Sequence, residues 1–515
     1  MKRRVLTAIA VAVAGIVSLC APTTPAAAVP TAVPTQLIAK AYTEVLGRLP
    51  STTDWQSAVA AFDTSGCSAA TVRAFVRNAF LSAEYDSRAY DNAARLLTLY
   101  RGGLNREPDP DGYSYYLGLL NGGTPWSTVV DAIVGAPEFT NTLVPKICGT
   151  DPTYGWGGTP AMAIPTSGTG FTGGTGADLQ ALLNATPAGG TVWLAQKALV
   201  RVQGTIVIPS GVTLATTGAP VPSRYALQGR LVREALMTSE MVRLMPGSRL
   251  EGVWADGQRS SILRLSGQGQ PSINVSVLGG TVVNNTLTGS AGWTTMQLGT
   301  SDGTVCDATV AGNLVTSYPS LHQGDFSDGI SSYCDGGVIE YNGVVDATDV
   351  GIILFAPSSG GRQHTDVRFN TVLSAGNSAY GAYAADGTTG KTQPPDFTGS
   401  TVHDNVFWSG ARTHIDIGLA VGTRAWFGGL SSTGTGASFI NNSTGGIVTR
   451  VAAGAAVAGM LNATVTGNTL PVTFADEASP CPRAVVGASV SAGYASGTIQ
   501  QPYTDALYES CINGN

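Results

Sequence analysis

One asparagine recurs through the second half of this chain in a constant setting. An apolar residue stands three places before it and apolar residues follow in "VVNNTL" (Asn285), "VAGNLV" (Asn313), "IEYNGV" (Asn342), "VRFNTV" (Asn370), "VHDNVF" (Asn405), "FINNST" (Asn442) and "VTGNTL" (Asn468). The first four are 28, 29 and 28 residues apart, and later intervals run from 26 to 37. A repeat of that length built from short Val/Ile/Leu segments means a solenoid, because one coil cannot bury its own apolar face. Asparagine suits the turn of each coil, since it tolerates left-handed backbone and hydrogen-bonds to neighbouring backbone. Cys306 and Cys334 are one repeat, 28 residues, apart. Coils stacked about 4.8 Å apart would bring them within disulfide reach.

The stretch opening this region, "GADLQALLNATPAGGTVWLAQKALVRVQGTIVIPSGVTLATTG", places one short amphipathic helix before Gly-punctuated strands. It resembles the N-terminal cap of right-handed parallel β-helix proteins of the pectate-lyase-like superfamily. The resemblance implies an all-β parallel β-helix over residues 177–475 and a closing segment over 476–515.

The N-terminal half reads differently. Lys2, Arg3 and Arg4 precede an apolar run and the small residues Ala26-Ala27-Ala28, which is the pattern of a secretory signal peptide over residues 1–28. No later stretch is long and apolar enough to span a bilayer. Six cysteines follow the leader, and an even count in an oxidising compartment predicts three disulfides: Cys67–Cys148, Cys306–Cys334 and Cys481–Cys511. Without the leader, 25 Lys+Arg stand against 34 Asp+Glu, a balance of −9 that argues against nucleic acid as partner.

Residues 35–150 have helical apolar spacing and repeat themselves. "AYTEVLGRLPSTTDW" aligns with "LYRGGLNREPDPDGY" at Tyr42/Tyr100, Leu46/Leu104, Arg48/Arg106 and Pro50/Pro108, and "FLSAEY" aligns with "VGAPEF". The second copy resembles a bacterial family of unassigned function marked by Leu-Tyr-Arg…Arg-Glu-Pro-Asp…Gly, which implies no catalytic residue. Its Asp109 and Asp111 read as a helix-capping turn rather than a calcium loop. A Gly/Thr/Pro linker over 151–176 joins the two halves. The fold class expected is therefore multidomain, all-α repeats followed by an all-β solenoid.

Chemistry concentrates in "SLHQGDFSDGISSYC". The strand after Asn313 starts about five residues later than in neighbouring coils, and the longer loop carries His322, Asp325 and Asp328. Adjacent coils place Asp346 and Asp349, then Asn377 and Tyr380, then Arg412, His414 and Asp416 at a similar angular position. In "RTHIDIGL" a period of two sends Arg412, His414 and Asp416 outward and Ile415, Ile417 and Leu419 to the core. Neighbouring carboxylates suit glycoside hydrolysis, one protonated as acid and one acting as base or nucleophile. Asp325, Asp328 and Asp349 are the catalytic candidates, with His322, Asp346, Arg412, His414 and Asp416 positioning a sugar. "SDGI" followed by "TDVGI" partly resembles the polygalacturonase-type hydrolases of this fold, whose Gly-His-Gly and Arg-Ile-Lys motifs are missing here.

No cofactor is required by that chemistry, although calcium on Asp325, Asp328, Asp346 or Asp349 is an alternative use of the same oxygens. An Arg-rich stretch, 223–259, reads as a helix-like insertion that covers the groove or binds a carboxylated sugar, or as a solvated helix face. The expectation is a secreted, monomeric glycoside hydrolase acting on an extracellular polysaccharide or cell-wall glycan. A polysaccharide lyase using Arg412 or Lys391 with calcium is one alternative, and a non-catalytic wall-binding or adhesive protein the other.

Overall fold

The computed structural model describes residues 33–149, 160–258 (without 236 and 238), 274–300 (without 291), 306–316, 327–357, 362–386, 396–422, 434–445, 451–457, 460–470 and 492–493. Residues 1–28 (the expected signal peptide), His322, Asp325, Lys391 and the expected Cys481–Cys511 pair lie outside these residues.

From Phe171 to Leu470 the chain is a parallel β-helix. Most coils contribute three short strands, as in Asp335–Glu340, Gly343–Val345 and Val350–Phe355, and each strand pairs in parallel with its counterpart one coil on. The strand Phe171–Thr175 already belongs to the sheet, so the solenoid begins inside the segment read as linker. Helix Gly176–Ala185 starts with a capping box between Thr175 and Asp178 and buries Leu179 and Leu183 over the open end of the core. The Arg-rich stretch is not a helical insertion. It forms the strands Gly229–Arg233, Val242–Leu244, Ser248–Glu251 and Val253–Asp256, because its Val and Leu side chains fill successive coils while Trp254 turns outward to the helical region.

The recurring asparagines form one continuous ladder. The side-chain carbonyl of Asn313 accepts from the backbone N–H (2.9 Å) and the amide (3.0 Å) of Asn285, and the same pattern runs through Asn342, Asn370, Asn405 and Asn442 to Asn468. All seven are buried. The left-handed residue is the one before each: Asn284, Gly312, Tyr341, Phe369, Asp404, Asn441 and Gly467. The asparagine is thus selected for an amide that donates and accepts in a buried row, not for its backbone. Cys306 and Cys334 are joined across adjacent coils, Cα atoms 4.9 Å apart.

The helical region, Thr35 to Cys148, is a duplicated unit closed by Cys67–Cys148. Arg48 bonds Glu84, Asp54 and the carbonyl of Leu49, and lies over Tyr42. Arg106 bonds Glu138, Asp109 and the carbonyl of Glu107, and lies over Tyr100. Asp109 caps helix Pro110–Asn121. This unit packs on the solenoid through Tyr225, Trp254, Val345, Leu373 and Trp408, which share one apolar cluster with the helices. At the centre of the junction Arg230 bonds both Glu107 and Asp256. Arg101 lies 3.6 Å from both Glu44 and Glu107. The Trp254 ring sits beneath the guanidinium groups of both arginines.

Candidate active site

Five strands of the nine-strand face carry an irregularity that period-two reading does not anticipate. Gly329 and Ile330 both turn inward, since a Cβ on Gly329 would meet Val344 in the core and Ile330 is itself a core residue. The same holds for Gly351 and Ile352, Ala382 and Tyr383, Gly418 and Leu419, and Gly454 and Ala455. Two consecutive inward residues bend a strand as a bulge does, here so that its outer face becomes concave. Glycine or alanine fills the first position because the opposing strand leaves no room: a Cβ on Gly351 would lie 2.6 Å from Val372, and one on Gly418 2.3 Å from Phe407.

The concavity is visible in what touches across it. Trp293 precedes strand Thr294–Leu298 and stands about six residues from the level of Phe355, which in a straight strand is roughly 20 Å. The two ring centroids are 6.3 Å apart, and Tyr333 stacks on Phe355 at 5.0 Å. Val350, Ile353, Ala384, Ile417 and Ala420 line the floor of the crease as a small cluster of their own. Ile417 therefore faces the crease and not the core, because the doubled inward step at Gly418 reverses the alternation.

Three carboxylates act on one another electrostatically in this crease. Asp328 is almost fully buried at the start of strand Asp328–Ser332. Its carboxylate accepts from the Val350 N–H at 3.0 Å and the Ser331 hydroxyl at 2.8 Å. Burial, with Asp349 next and Asp386 after it, pushes its carboxyl well above the ordinary range. Asp349, one coil on and partly exposed, is raised to about 7 by burial and then by Asp386. Asp386 ends strand Ala379–Asp386 and comes from the opposite wall. Farther along the axis, Tyr380 lies beside Asp349 and Asp416, and burial followed by these two carboxylates raises its hydroxyl. Asp416 holds the His414 ring at 3.1 Å, and His414 also bonds Ser378 at 3.1 Å.

Of the residues singled out from sequence, the crease brings together Asp328, Asp349, His414 and Asp416. Arg412 goes elsewhere. Its guanidinium donates to the backbone carbonyls of Cys148 and Gly149 at the end of the helical unit. Asp346 also points away, because one of its oxygens accepts the N–H groups of Ala375 (2.7 Å), Gly376 (2.9 Å) and Asn377 (3.3 Å) in the next coil. Asp386, Trp293, Tyr333 and Phe355 were not singled out. The signal for Asp386 was present, as the one charge in "AYGAYAAD". Among the described residues, no three His, Cys, Asp or Glu side chains are grouped to hold a metal ion.

Residues 73–143 match the family described as a domain of unknown function (DUF4214). No curated protein matches the chain. Among solved structures, a surface adhesin of Streptococcus pneumoniae, PfbA, is similar at 10% identity over 58% of this chain and 85% of its own, with a TM-score of 0.33. A tailspike of E. coli bacteriophage HK620, solved with a pentasaccharide, is similar at 12% identity over 59% of this chain and 64% of its own, with a TM-score of 0.32. Pectate lyase Pel9A is similar at 13% identity over 58% of this chain and 76% of its own, with a TM-score of 0.31.

Proposed function

We propose that the crease is the active site of an exported glycoside hydrolase acting on an extracellular polysaccharide. The observation that carries this reading is the meeting of Asp349, with a carboxyl raised to about 7, with Asp386 across a concave wall and Asp328 behind it. A carboxyl titrating near neutrality can protonate a glycosidic oxygen, while a carboxylate opposite attacks the sugar or activates water. Asp349 is assigned as the acid and Asp386 as the base or nucleophile. Asp386 is the negative neighbour that, after burial, keeps Asp349 protonated, and Asp328 lies behind the pair with its own carboxyl raised. Trp293, Tyr333 and Phe355 offer ring surface against which a pyranose can lie. The two disulfides support an oxidising compartment. Among the described residues no helix is long and apolar enough to cross a membrane.

The test digests a polysaccharide panel with the full secreted chain, following new reducing ends and the absorbance of unsaturated uronates together. Reducing ends without absorbance are expected, with Asp349→Asn and Asp386→Asn each lowering the rate about 10²–10⁴-fold. Absorbance accompanying the reducing ends would replace the hydrolase by a lyase. Unchanged binding of a glycan with no cleavage would replace it by an adhesin.

A further inference from the structure

The left-handed column beside the asparagine ladder contains a second feature, separate from the crease. Left-handed backbone favours Asn, Asp or Gly, and a bulky residue there is strained. Five of the seven positions follow that rule, and two do not: Tyr341 (φ +55°) and Phe369 (φ +53°). Both rings are also exposed, Tyr341 at 61% and Phe369 at 43%. Strain and exposure are both unfavourable, and their coincidence at two adjacent coils directs attention to a binding role.

Their geometry is that of a prepared surface. The rings stack at 5.2 Å and 17°, and Phe369 meets His403 edge-on at 6.0 Å. His403 is held between Asp366 (3.0 Å) and Asp404 (2.7 Å), which fixes that end of the row. At the other end the coil carries Gly312, which has no side chain to cover Tyr341. Opposite stands the first helical repeat. Gly47 sits against Pro222, where any Cβ would lie 2.2 Å from the carbonyl oxygen, and Leu49 packs on Gly343. Between these two points of contact the domains flank an open cleft of ≈ 380 Å³, lined among others by Arg48, Pro222, Asn284, Gly312 and Tyr341. That is the size and the interdomain placement of a small-ligand site.

We infer that this cleft binds a neutral pyranose unit of a glycan, with the sugar ring on Tyr341. Aliphatic C–H groups of a pyranose match an aromatic face, and its hydroxyls match the Asn284 amide. Among the described residues the one cation in the lining, Arg48, is already paired with Glu84 and Asp54, which favours a neutral sugar over an anionic one. Because the site spans both domains, it would also give the helical repeat a part in holding substrate.

Isothermal titration calorimetry tests this on the full chain in an Asp349→Asn background, with cellohexaose, xylohexaose, mannohexaose and maltoheptaose as probes. At least one is expected to bind, and Tyr341→Ala to weaken that binding about tenfold while Tyr341→Trp retains it. Asn284→Ala, which leaves the ring stack intact, is expected to weaken it as well, so a folding defect in one variant does not decide the result. Binding by Tyr341→Ala and Asn284→Ala equal to that of the parent overturns the assignment, and so does failure of all four probes to bind. Neither result bears on cleavage in the crease, which is read from reducing ends.

Discussion

Asp256 and Asp328 are the same residue type, 1% and 2% exposed, yet their carboxyl groups move in opposite directions. Burial raises both. At Asp256 the guanidinium groups of Arg230 and Arg101 overcome it and the carboxyl ends below its ordinary value. At Asp328 the neighbouring carboxylates Asp349 and Asp386 raise it further, so burial and repulsion add. The domain junction sets Lys40, Arg101 and Arg230 among Glu44, Glu107 and Asp256, whereas the crease gathers Asp328, Asp349 and Asp386. Buried charge that is balanced serves to hold parts together. Carboxyls raised by burial and by one another are kept against stability, which is the mark of a site that handles protons.

The sharpest break in this contrast is at Arg230. Arg230→Met keeps much of the volume but leaves Glu107 and Asp256 without their shared partner, at a cost of about 3–5 kcal/mol in urea denaturation at pH 7. Asp256 has a depressed carboxyl in the folded state, so its contribution is present above the unfolded value near 4 and is lost as pH falls through the folded value. The cost of Arg230→Met should therefore shrink in acid. A cost that does not change with pH would mean that packing on Trp254, 3.7 Å from the guanidinium, and not charge, holds the junction.

The same contrast explains what could be read from sequence. The asparagine period marks the coil because a buried amide ladder needs the same residue at every step. The helical duplication shows through Arg48/Arg106 and Glu84/Glu138, since each arginine needs its carboxylate. The crease was only half legible. Asp328 and Asp349 stand out beside a loop, but the doubled inward step at Gly351-Ile352 and Ala382-Tyr383 is a three-dimensional fit that a period of two hides, and Asp386 is found only once the wall bends. Arg412 and Asp346 were placed by coil position alone. A side chain at the correct angle is still drawn to the strongest local partner, which for Arg412 is the end of the helical unit and for Asp346 a row of three N–H groups.

A smaller effect of opposite sign is expected at Asp349. Its folded value of about 7 lies above the unfolded value near 4. The folded state then binds the extra proton between those limits, and stability falls as pH rises through that window. Asp349→Asn removes the penalty, so the variant should match the parent at pH 4 and exceed it by about 1–3 kcal/mol at pH 8. Thermal melting across that range reads the difference. A variant destabilised equally at both values would show that the carboxylate is structural.

The finest test concerns the hydroxyl that tempers Asp328. Ser331 Oγ is 2.8 Å from the Asp328 carboxylate and 2.9 Å from Thr294 Oγ1, and its single proton can serve only one of them. If it goes to the carboxylate, it stabilises the ionised form and holds the carboxyl below where burial and Asp349 alone would put it. A hydrogen bond of about 1 kcal/mol corresponds to somewhat less than one pH unit. Two coupled acids titrate as a pair, so the measurement belongs in an Asp349→Asn background, following the protonated-carboxyl stretch in the infrared. Ser331→Ala should move that titration upward by about half to one unit. No movement would place the proton on the Thr294 side and leave the Val350 N–H as the donor that opposes protonation of Asp328.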